Sequence, residues 1–309
     1  MRKPLFLFLI FIQILGISQE ADTNYLKELA LHWAPIHYQS IRSADGIFND
    51  NSLNGKSDSL SAMNFDGDWN ATNNWENLTS HPADPVLYYY VATTSTHYFI
   101  TYGYFHARDW TKLNIFHLAQ HENDLEGALF VIEKDTTKWG KLLIGYSIFH
   151  YSIQKYKYVD QIEFRSNIFK DGITEELHPV SYQQPRGHGV KLQPSFHNPK
   201  KPYCRYTPDT LAFPTTNDKP YRLIDLNSKD QLIQQIGNEK FFNPDETIKG
   251  SHGEGANPPW LWYDRKDKKK NPDLQLFTDP ANYVLIDCKM TKTFSTEYTY
   301  HPLLDTNRE

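Results

Sequence analysis

The sequence predicts a mainly β protein with antiparallel strands, peripheral helices and long loops. Aromatic residues make up 15% of the 309 residues, and Tyr alone occurs 20 times. This composition favours strands over helix bundles, because aromatic side chains pack well on a pleated sheet. Two segments rich in Tyr, Val, Phe and Thr, residues 86–93 and 96–104, flank a short polar turn. That pattern is typical of a β-hairpin.

A helix and a long loop are predicted before this hairpin. Residues 25–34 favour a short helix, because Leu26, Leu29 and Ala30 fall on one stripe. Residues 40–80 are rich in Asn, Asp, Ser and Gly. We expect this segment to be a long loop that is either ordered or functional.

More strands and a second helix are predicted after the hairpin. The segments 125–133, 142–151 and 176–182 are apolar or aromatic and indicate three strands. Residues 192–220 are rich in Pro and predict irregular structure. A capped apolar stripe predicts a helix over residues 228–236. The sequence contains no internal repeat.

The start of the chain has the features of a signal peptide. Arg2 and Lys3 precede an apolar run over residues 5–17, which is too short to span a bilayer comfortably. Small residues around Ser18 predict that the signal peptide covers residues 1–19. The alternative is an uncleaved N-terminal anchor helix. We expect a mature chain without a transmembrane span that is secreted or periplasmic.

Composition limits the domain count and the partners. Roughly 290 residues remain after the signal, enough for one large β domain or two smaller ones. We predict a single domain over residues 20–309, with a loop-rich C-terminal extension from about residue 192. The net charge of −5 argues against nucleic acid as a partner. Cys204 and Cys288 are expected to form a disulfide in an exported protein, with two buried free thiols as the alternative.

The most informative stretch of the sequence is residues 121–127, His-Glu-Asn-Asp-Leu-Glu-Gly, which directly precedes an apolar run over residues 128–132. On a strand, Asp124 and Glu126 face the same side, and His121 can fold over that side from the preceding loop. Imidazole with carboxylates suits Mg²⁺, Mn²⁺, Ca²⁺ or Zn²⁺. The spacing therefore suggests a cation site. The alternative is a polar turn followed by a solvated strand residue.

This stretch resembles the central motif of the necrosis-inducing (necrosis- and ethylene-inducing-like) protein family, which are secreted cytolysins. In that family an aromatic strand and a Lys-Asp or similar turn precede a Gly-His-Arg-His-Asp-Trp-Glu-Gly motif and an apolar strand. Here an aromatic strand over residues 102–105 leads to Asp109, and residues 120–127 stand at the motif. The departures from the motif are Gln120, Asn123 and Leu125, which replace a Gly, a His and a Trp.

The resemblance implies a β-sandwich fold, so the expected fold is an antiparallel β-sandwich with peripheral helices and long loops. The metal ligands that it carries over are Asp109, His121, Asp124 and Glu126. A later Gly-His motif of the family is similar to residues 187–189 and places His188 near the same site. The resemblance covers mainly residues 86–134 and 180–190.

Two classes of function follow. The resemblance implies a cytolysin-like protein whose bound cation, with Mg²⁺ or Ca²⁺ favoured and Mn²⁺ or Zn²⁺ as alternatives, recognises a sugar or lipid headgroup at a cell surface. The alternative is a metal-dependent hydrolase in which His188 or His106 acts as general acid or base. In a third interpretation the ion only stabilises the loop. Binding is favoured because the predicted ligands are mostly carboxylates and the sequence contains no dedicated nucleophile.

Overall fold

The computed structural model describes nine stretches of the chain. They are residues 22–41, 56–110, 120–150, 152–168, 175–194, 202–209, 218–253, 255–263 and 275–304. The predicted signal peptide over residues 1–19 lies outside the described residues. Within them, no helix is long and apolar enough to cross a membrane.

The described residues form mainly strands. These are β1 (Ile36–Ser40), β2 (Val86–Thr94), β3 (His97–Asp109), β4 (His121–Glu133), β5 (Lys141–Phe149), β6 (Ser152–Tyr156), β7 (Phe164–Ile168), β8 (Glu175–Gln183), β9 (Val190–Lys191), β10 (Tyr203–Pro208), β11 (Asp218–Asp225) and β12 (Tyr298–Tyr300). The α-helices are α1 (Thr23–His32), α2 (Asn74–Asn77) and α3 (Pro280–Cys288). Short 3-10 turns cover Lys56–Asp58, Val159–Gln161, Leu232–Gln235 and Pro259–Leu261.

The strands form one mixed sheet. Its order is β6-β5-β4-β3-β2-β11-β10-β1-β8-β7, while β9 pairs with β8 and β12 with β2. Strand β9 also contacts β5, so the sheet curves into a nearly closed, barrel-like shape. The prediction of a mainly β fold is confirmed. The expected antiparallel β-sandwich is replaced by this single mixed sheet, in which β1–β8, β10–β11 and β11–β2 are parallel pairs. Parallel pairs need long connections, and local sequence patterns do not reveal them.

Strands β2 to β5 are buried on both faces. Leu87 and Tyr89 face an inner core, enclosed by the curved sheet, whereas Tyr88 and Tyr90 face an outer core on its other side. The outer core is completed by the C-terminal part of the chain, which supplies large aromatic residues such as Trp262. This double burial explains why the strands are continuous apolar and aromatic runs rather than alternating ones.

The C-terminal part of the chain is integrated into the fold. Residues 192–309 were expected to form a loop-rich extension, yet this part supplies β10 and β11 to the middle of the sheet. The prediction of a helix over residues 228–236 is wrong. In this segment a 3-10 turn forms at Leu232–Gln235 instead. Asp230 has a φ of 63°, which a right-handed helix does not allow. The Ser228 hydroxyl donates to the Asp225 carbonyl instead of capping a helix.

The remaining local predictions have mixed outcomes. The helix predicted over residues 25–34 is confirmed as α1, whose N-terminus is capped by the Asp22 carboxylate. The expected disulfide is wrong, because Cys204 and Cys288 are both free. Cys204 packs in the inner core, whereas Cys288 packs against the outer core. The sheet therefore lies between the two thiols.

Candidate functional site

The predicted ligands gather at one end of the β3–β4 pair. The antiparallel register places Asp109 opposite His121, and His106 opposite Asp124. Glu126 follows two residues after Asp124 on β4 and is also buried. The two strands pair because their apolar residues are buried on both faces of the sheet. The predicted ligands lie near the end of the two strands, where the pairs of apolar residues end.

A left-handed residue aligns the imidazole with the carboxylates. In a regular strand, residues three apart face opposite sides, yet His121 interacts electrostatically with both Asp109 and Asp124. Asn123 lies between His121 and Asp124 in the chain. Its φ of 59° breaks the usual alternation of side chains between the two faces of the strand. Its side-chain Nδ2 donates to the carbonyls of Ala71 at 2.8 Å and Lys249 at 2.7 Å. These contacts hold the irregular backbone in place.

His121 and Asp109 form a partly exposed ion pair. His121 Nε2 lies 3.4 Å from Asp109 Oδ2, and the two side chains are 25% and 20% exposed. His121 Nδ1 lies 2.7 Å from the Asn123 carbonyl oxygen, so this nitrogen carries a proton. Burial disfavours the charged imidazole, but Asp109 and Asp124 outweigh it and raise the pKa of His121 to about 9.

Glu126 is the most deeply buried carboxyl of the predicted set. One oxygen accepts the backbone N–H of His150, while Oε2 has no hydrogen-bond partner among the described residues. Burial, followed by the charges of Asp124 and Asp109, raises the pKa of Glu126 well above its usual value. Burial likewise raises the pKa of Asp109, and the charge of Asp124 adds to this. Asp109 and Asp124 are thus compensated by His121 and His188, whereas Glu126 lies beside them without a cationic partner among the described residues.

His188 joins two parts of the site. Its imidazole is fully buried, with Nδ1 donating to Asp124 Oδ2 at 2.9 Å and Nε2 lying 3.4 Å from Asp58 Oδ1. Burial opposes a charge on this ring, but the contacts with Asp124 and Asp58 raise the pKa of His188 to about 9. His188 therefore lies between Asp58 and Asp124, which is one of the predicted ligands.

Asp58 was missed by sequence reasoning. It lies in the 3-10 turn Lys56–Asp58, is fully buried, and accepts from Trp110 Nε1 at 3.2 Å and the Arg186 backbone N–H at 2.7 Å. It interacts with His188 from the side opposite Asp124. A single Asp within a polar loop has no spacing to mark it, so no local signal was available.

Glu122 was also missed, although it lies within the singled-out motif. Its carboxylate is fully buried and accepts from the Trp75 backbone N–H at 2.6 Å and from both the N–H and the hydroxyl of Ser251. It therefore fastens α2 and the C-terminal part of the chain to β4. Its position directly after His121 was the available signal.

Backbone strain concentrates around the cluster. Seven non-glycine residues in the described ranges have a positive φ, and four of them lie here. They are Asn123 at 59°, His150 at 54°, Arg186 at 77° and His188 at 46°. Left-handed non-glycine residues persist only where surrounding contacts hold them, and they often mark functional sites.

The predicted residues come together as pairs rather than as a finished metal centre. Across the described ranges, no three His, Cys, Asp or Glu side chains are already grouped as one ion would require. Asp109 contacts His121, and Asp124 contacts His188. Glu126 is near both aspartates electrostatically.

His106 and His188 are poorly placed for acid–base chemistry. Both rings are fully buried. His106 Nδ1 lies 3.1 Å from the Ser59 carbonyl, and Nε2 lies 3.0 Å from Gln183 Oε1. A general acid or base must reach the proton that it transfers, and both nitrogens of His106 face protein groups. The roles suggested for these histidines in a hydrolase gain no support from this geometry.

Comparison with known proteins gives only distant similarities. No protein-family model and no curated protein matches the chain. The structure is similar to solved structures of non-toxic HaNLP3 protein (12% identity, 80% of this chain and 90% of that chain, TM-score 0.38) and of NLPPya in complex with glucosamine (13%, 82% and 91%, TM-score 0.39). It is also similar to Necrosis and Ethylene inducing Protein 2 from the causal agent of cocoa's Witches Broom disease (15%, 78% and 88%, TM-score 0.37).

One of these solved structures is of a necrosis- and ethylene-inducing protein, the family whose motif residues 120–127 resemble. TM-scores below 0.4 assign neither a fold nor an activity to this chain.

Proposed function

We propose that the protein is exported and binds a divalent cation at Asp109, Asp124 and Glu126, and that the cation contacts hydroxyl groups of a sugar or lipid headgroup at a cell surface. The observation that carries this proposal is the Glu126 carboxyl. It is buried beside two aspartates and has one oxygen without a partner among the described residues. Crowded carboxyls away from water are relieved by protons or by a cation.

The residues present fit Mg²⁺ or Ca²⁺ best, with Mn²⁺ and Zn²⁺ as alternatives. Three carboxylates provide hard oxygen donors, and His121 provides a nitrogen once its proton leaves. The bound cation would supply positive charge and coordination positions for hydroxyl oxygens. His188 would remain hydrogen-bonded to Asp124 and orient it, as partners of metal ligands commonly do.

The open side of the cluster supports recognition of a polar ligand. Asp109 and His121 are the partly exposed members. Trp110 is half-buried next to Asp109 and lies beneath the Arg186 guanidinium at 4.8 Å. An aromatic ring and convergent polar groups at the mouth of a buried cluster are typical of small-ligand sites. Binding is supported over hydrolysis because His106 and His188 are both enclosed by protein groups.

Calorimetric titration of chelator-treated protein with Ca²⁺ and Mg²⁺ tests cation binding. We expect saturable binding by the wild type and its loss in Asp124→Asn and Glu126→Gln. Asp225→Asn is a matched control, because burial also raises the pKa of Asp225, which lies on β11 outside the cluster. No binding by the wild type, or equal binding by all variants, would contradict the proposal.

Adhesion to immobilised glycans and to vesicles carrying glycolipid tests the second half of the proposal. We expect chelator to abolish adhesion and Ca²⁺ or Mg²⁺ to restore it. Adhesion that is insensitive to chelator would leave the cation without a role in recognition. Export is tested separately by the N-terminus of the secreted protein, which should lie close to residue 19.

A further inference from the structure

We propose that His106 is a positioning residue, which together with Gln183 holds the His188 imidazole so that it joins Asp58 to Asp124. The importance of this arrangement for ligand binding rests on the proposed function, in which Asp124 holds the cation. The arrangement itself rests only on the geometry of the buried side chains. It gives His106 a role other than that of ligand or acid–base group.

The first observation is the stacking of two imidazoles. The ring centroids of His106 and His188 are 3.8 Å apart, and the ring planes differ by 6°. Both side chains are fully buried. A flat ring at this distance prevents His188 from tilting toward β3 and so fixes the plane in which its two nitrogens point. In that plane, Nδ1 meets Asp124 and Nε2 faces Asp58.

The second observation is a pair of hydrogen bonds through Gln183. Its Nε2 donates to the His188 backbone carbonyl at 2.6 Å, and its Oε1 lies 3.0 Å from His106 Nε2. The amide therefore connects the ring of His106 to the backbone of His188. His106 thus contacts the ring of His188, and Gln183 contacts its backbone.

The third observation is the strained backbone of His188. Its φ of 46° lies in the left-handed region, where an imidazole side chain is uncommon. Gly187 and Gly189 on either side leave the local chain with little rigidity of its own. Tertiary contacts must therefore hold the ring, and the stack on His106 is the closest parallel contact that it makes among the described residues.

The position of His106 explains how one residue affects both carboxylates. On β3 it stands opposite Asp124 in the strand register, and its Nδ1 lies 3.1 Å from the carbonyl of Ser59, which follows Asp58. Replacing His106 by a smaller apolar side chain would open space beside the His188 ring. The ring could then rotate, and the connection between Asp58 and Asp124 would be lost.

Proton NMR of histidine-labelled protein tests the geometry directly. In the wild type we expect a slowly exchanging His188 Nδ1 proton and a nuclear Overhauser contact between the His106 and His188 rings. In His106→Leu this Nδ1 signal should be lost, while His106→Phe, which keeps a stacked ring, should retain it. Gln183→Met should shift or broaden the signal without removing it.

The control is His178→Leu. His178 is equally buried and its Nδ1 lies 2.9 Å from the Ala34 carbonyl, but its titratable neighbours are Glu176 and His32 rather than the cluster. The control should lose stability while keeping the His188 signal. In cation titrations, His106→Leu should weaken affinity about tenfold or more, as expected for a partner of a metal ligand. His178→Leu should leave the affinity unchanged.

The outcomes separate the inference from the proposed function. If the wild type binds no cation, the proposed function fails, and the NMR measurements still decide the role of His106. Absence of the ring contact or of the Nδ1 proton in the wild type would overturn the inference, even if His106→Leu does not fold. A folded His106→Leu with an unchanged His188 signal would reduce His106 to core packing.

Discussion

Gly127 and Trp262 approach so closely that no side chain fits at position 127. A Cβ atom there would overlap both the indole ring of Trp262 and the Tyr102 carbonyl oxygen. Trp262 Nε1 in turn donates to the Leu125 carbonyl at 2.8 Å. The last residue of the motif is therefore a glycine because the C-terminal part of the chain packs directly onto the strand that carries the site.

Gly127→Ala should destabilise the protein by about 1–3 kcal/mol, the usual range for overpacking a core, or by more because the backbone oxygen of Tyr102 cannot move freely. Denaturant unfolding measures the change. Gly103→Ala is the matched control, because Gly103 lies opposite Gly127 in the register and the closest atom to its added Cβ would be Leu125 Cδ1, at 3.3 Å. Equal losses in both variants would argue against the close contact with Trp262.

Glu126→Gln should stabilise the cation-free protein at neutral pH. The pKa of Glu126 is raised on folding, so its contribution to stability is complete below the unfolded value of 4.5 and declines as the pH rises above it. The wild type and the variant should have similar unfolding midpoints near pH 4 and diverge toward pH 8. In the proposed function the cation binds to Glu126, so excess Ca²⁺ should raise the unfolding midpoint of the wild type above that of the variant.

His188→Gln should remove part of the pH dependence of stability between about pH 6.5 and pH 9. The pKa of His188 rises on folding from 6.5 to about 9, so its stabilising effect is complete below pH 6.5 and is lost as the pH rises through 9. His121 titrates in the same direction, so the variant should keep a reduced slope. The unfolding midpoints of the wild type and the variant, measured in chelator at half-unit pH steps, test this. An equal dependence of the midpoint on pH in both proteins would contradict the role given to His188.

Glu122→Ala should loosen the C-terminal part of the chain from β4. Three donors on Trp75 and Ser251 would lose their acceptor. Because Ser251 is exposed and its donors can turn to water, we expect a total cost of about 1–3 kcal/mol. Limited proteolysis should cut near residue 251 faster than in the wild type. Glu76→Ala is the control, because Glu76 is exposed and its carboxylate pairs, within the described part of the chain, with the half-exposed His252. Cleavage at equal rates in both variants would exclude the fastening role.

Sequence reasoning identified the parts of the fold and site that are local. The hairpin of β2 and β3 has its polar turn and aromatic strands in one continuous segment, and the spacing of Asp124 and Glu126 gives their common face directly. The left-handed backbone of Asn123 could not be predicted from the sequence. It is held by hydrogen bonds from the Asn123 side chain to the carbonyls of Ala71 and Lys249, which are distant in the chain. Asp58 was invisible for the same reason, since only the folded chain brings it to His188.

The strand order has a consequence for the timing of folding. Strands β1 and β2 are consecutive in the chain, yet β10 and β11 lie between them in the sheet. The two early strands therefore cannot join one another until the chain has been synthesised as far as Asp225. Contacts between residues so far apart in sequence form slowly. During synthesis, the sheet of this protein therefore cannot be completed before the second half of the chain has been made. If translation paused before β11, the nascent chain would have an incomplete sheet in which the edge of β2 that pairs with β11 is unpaired.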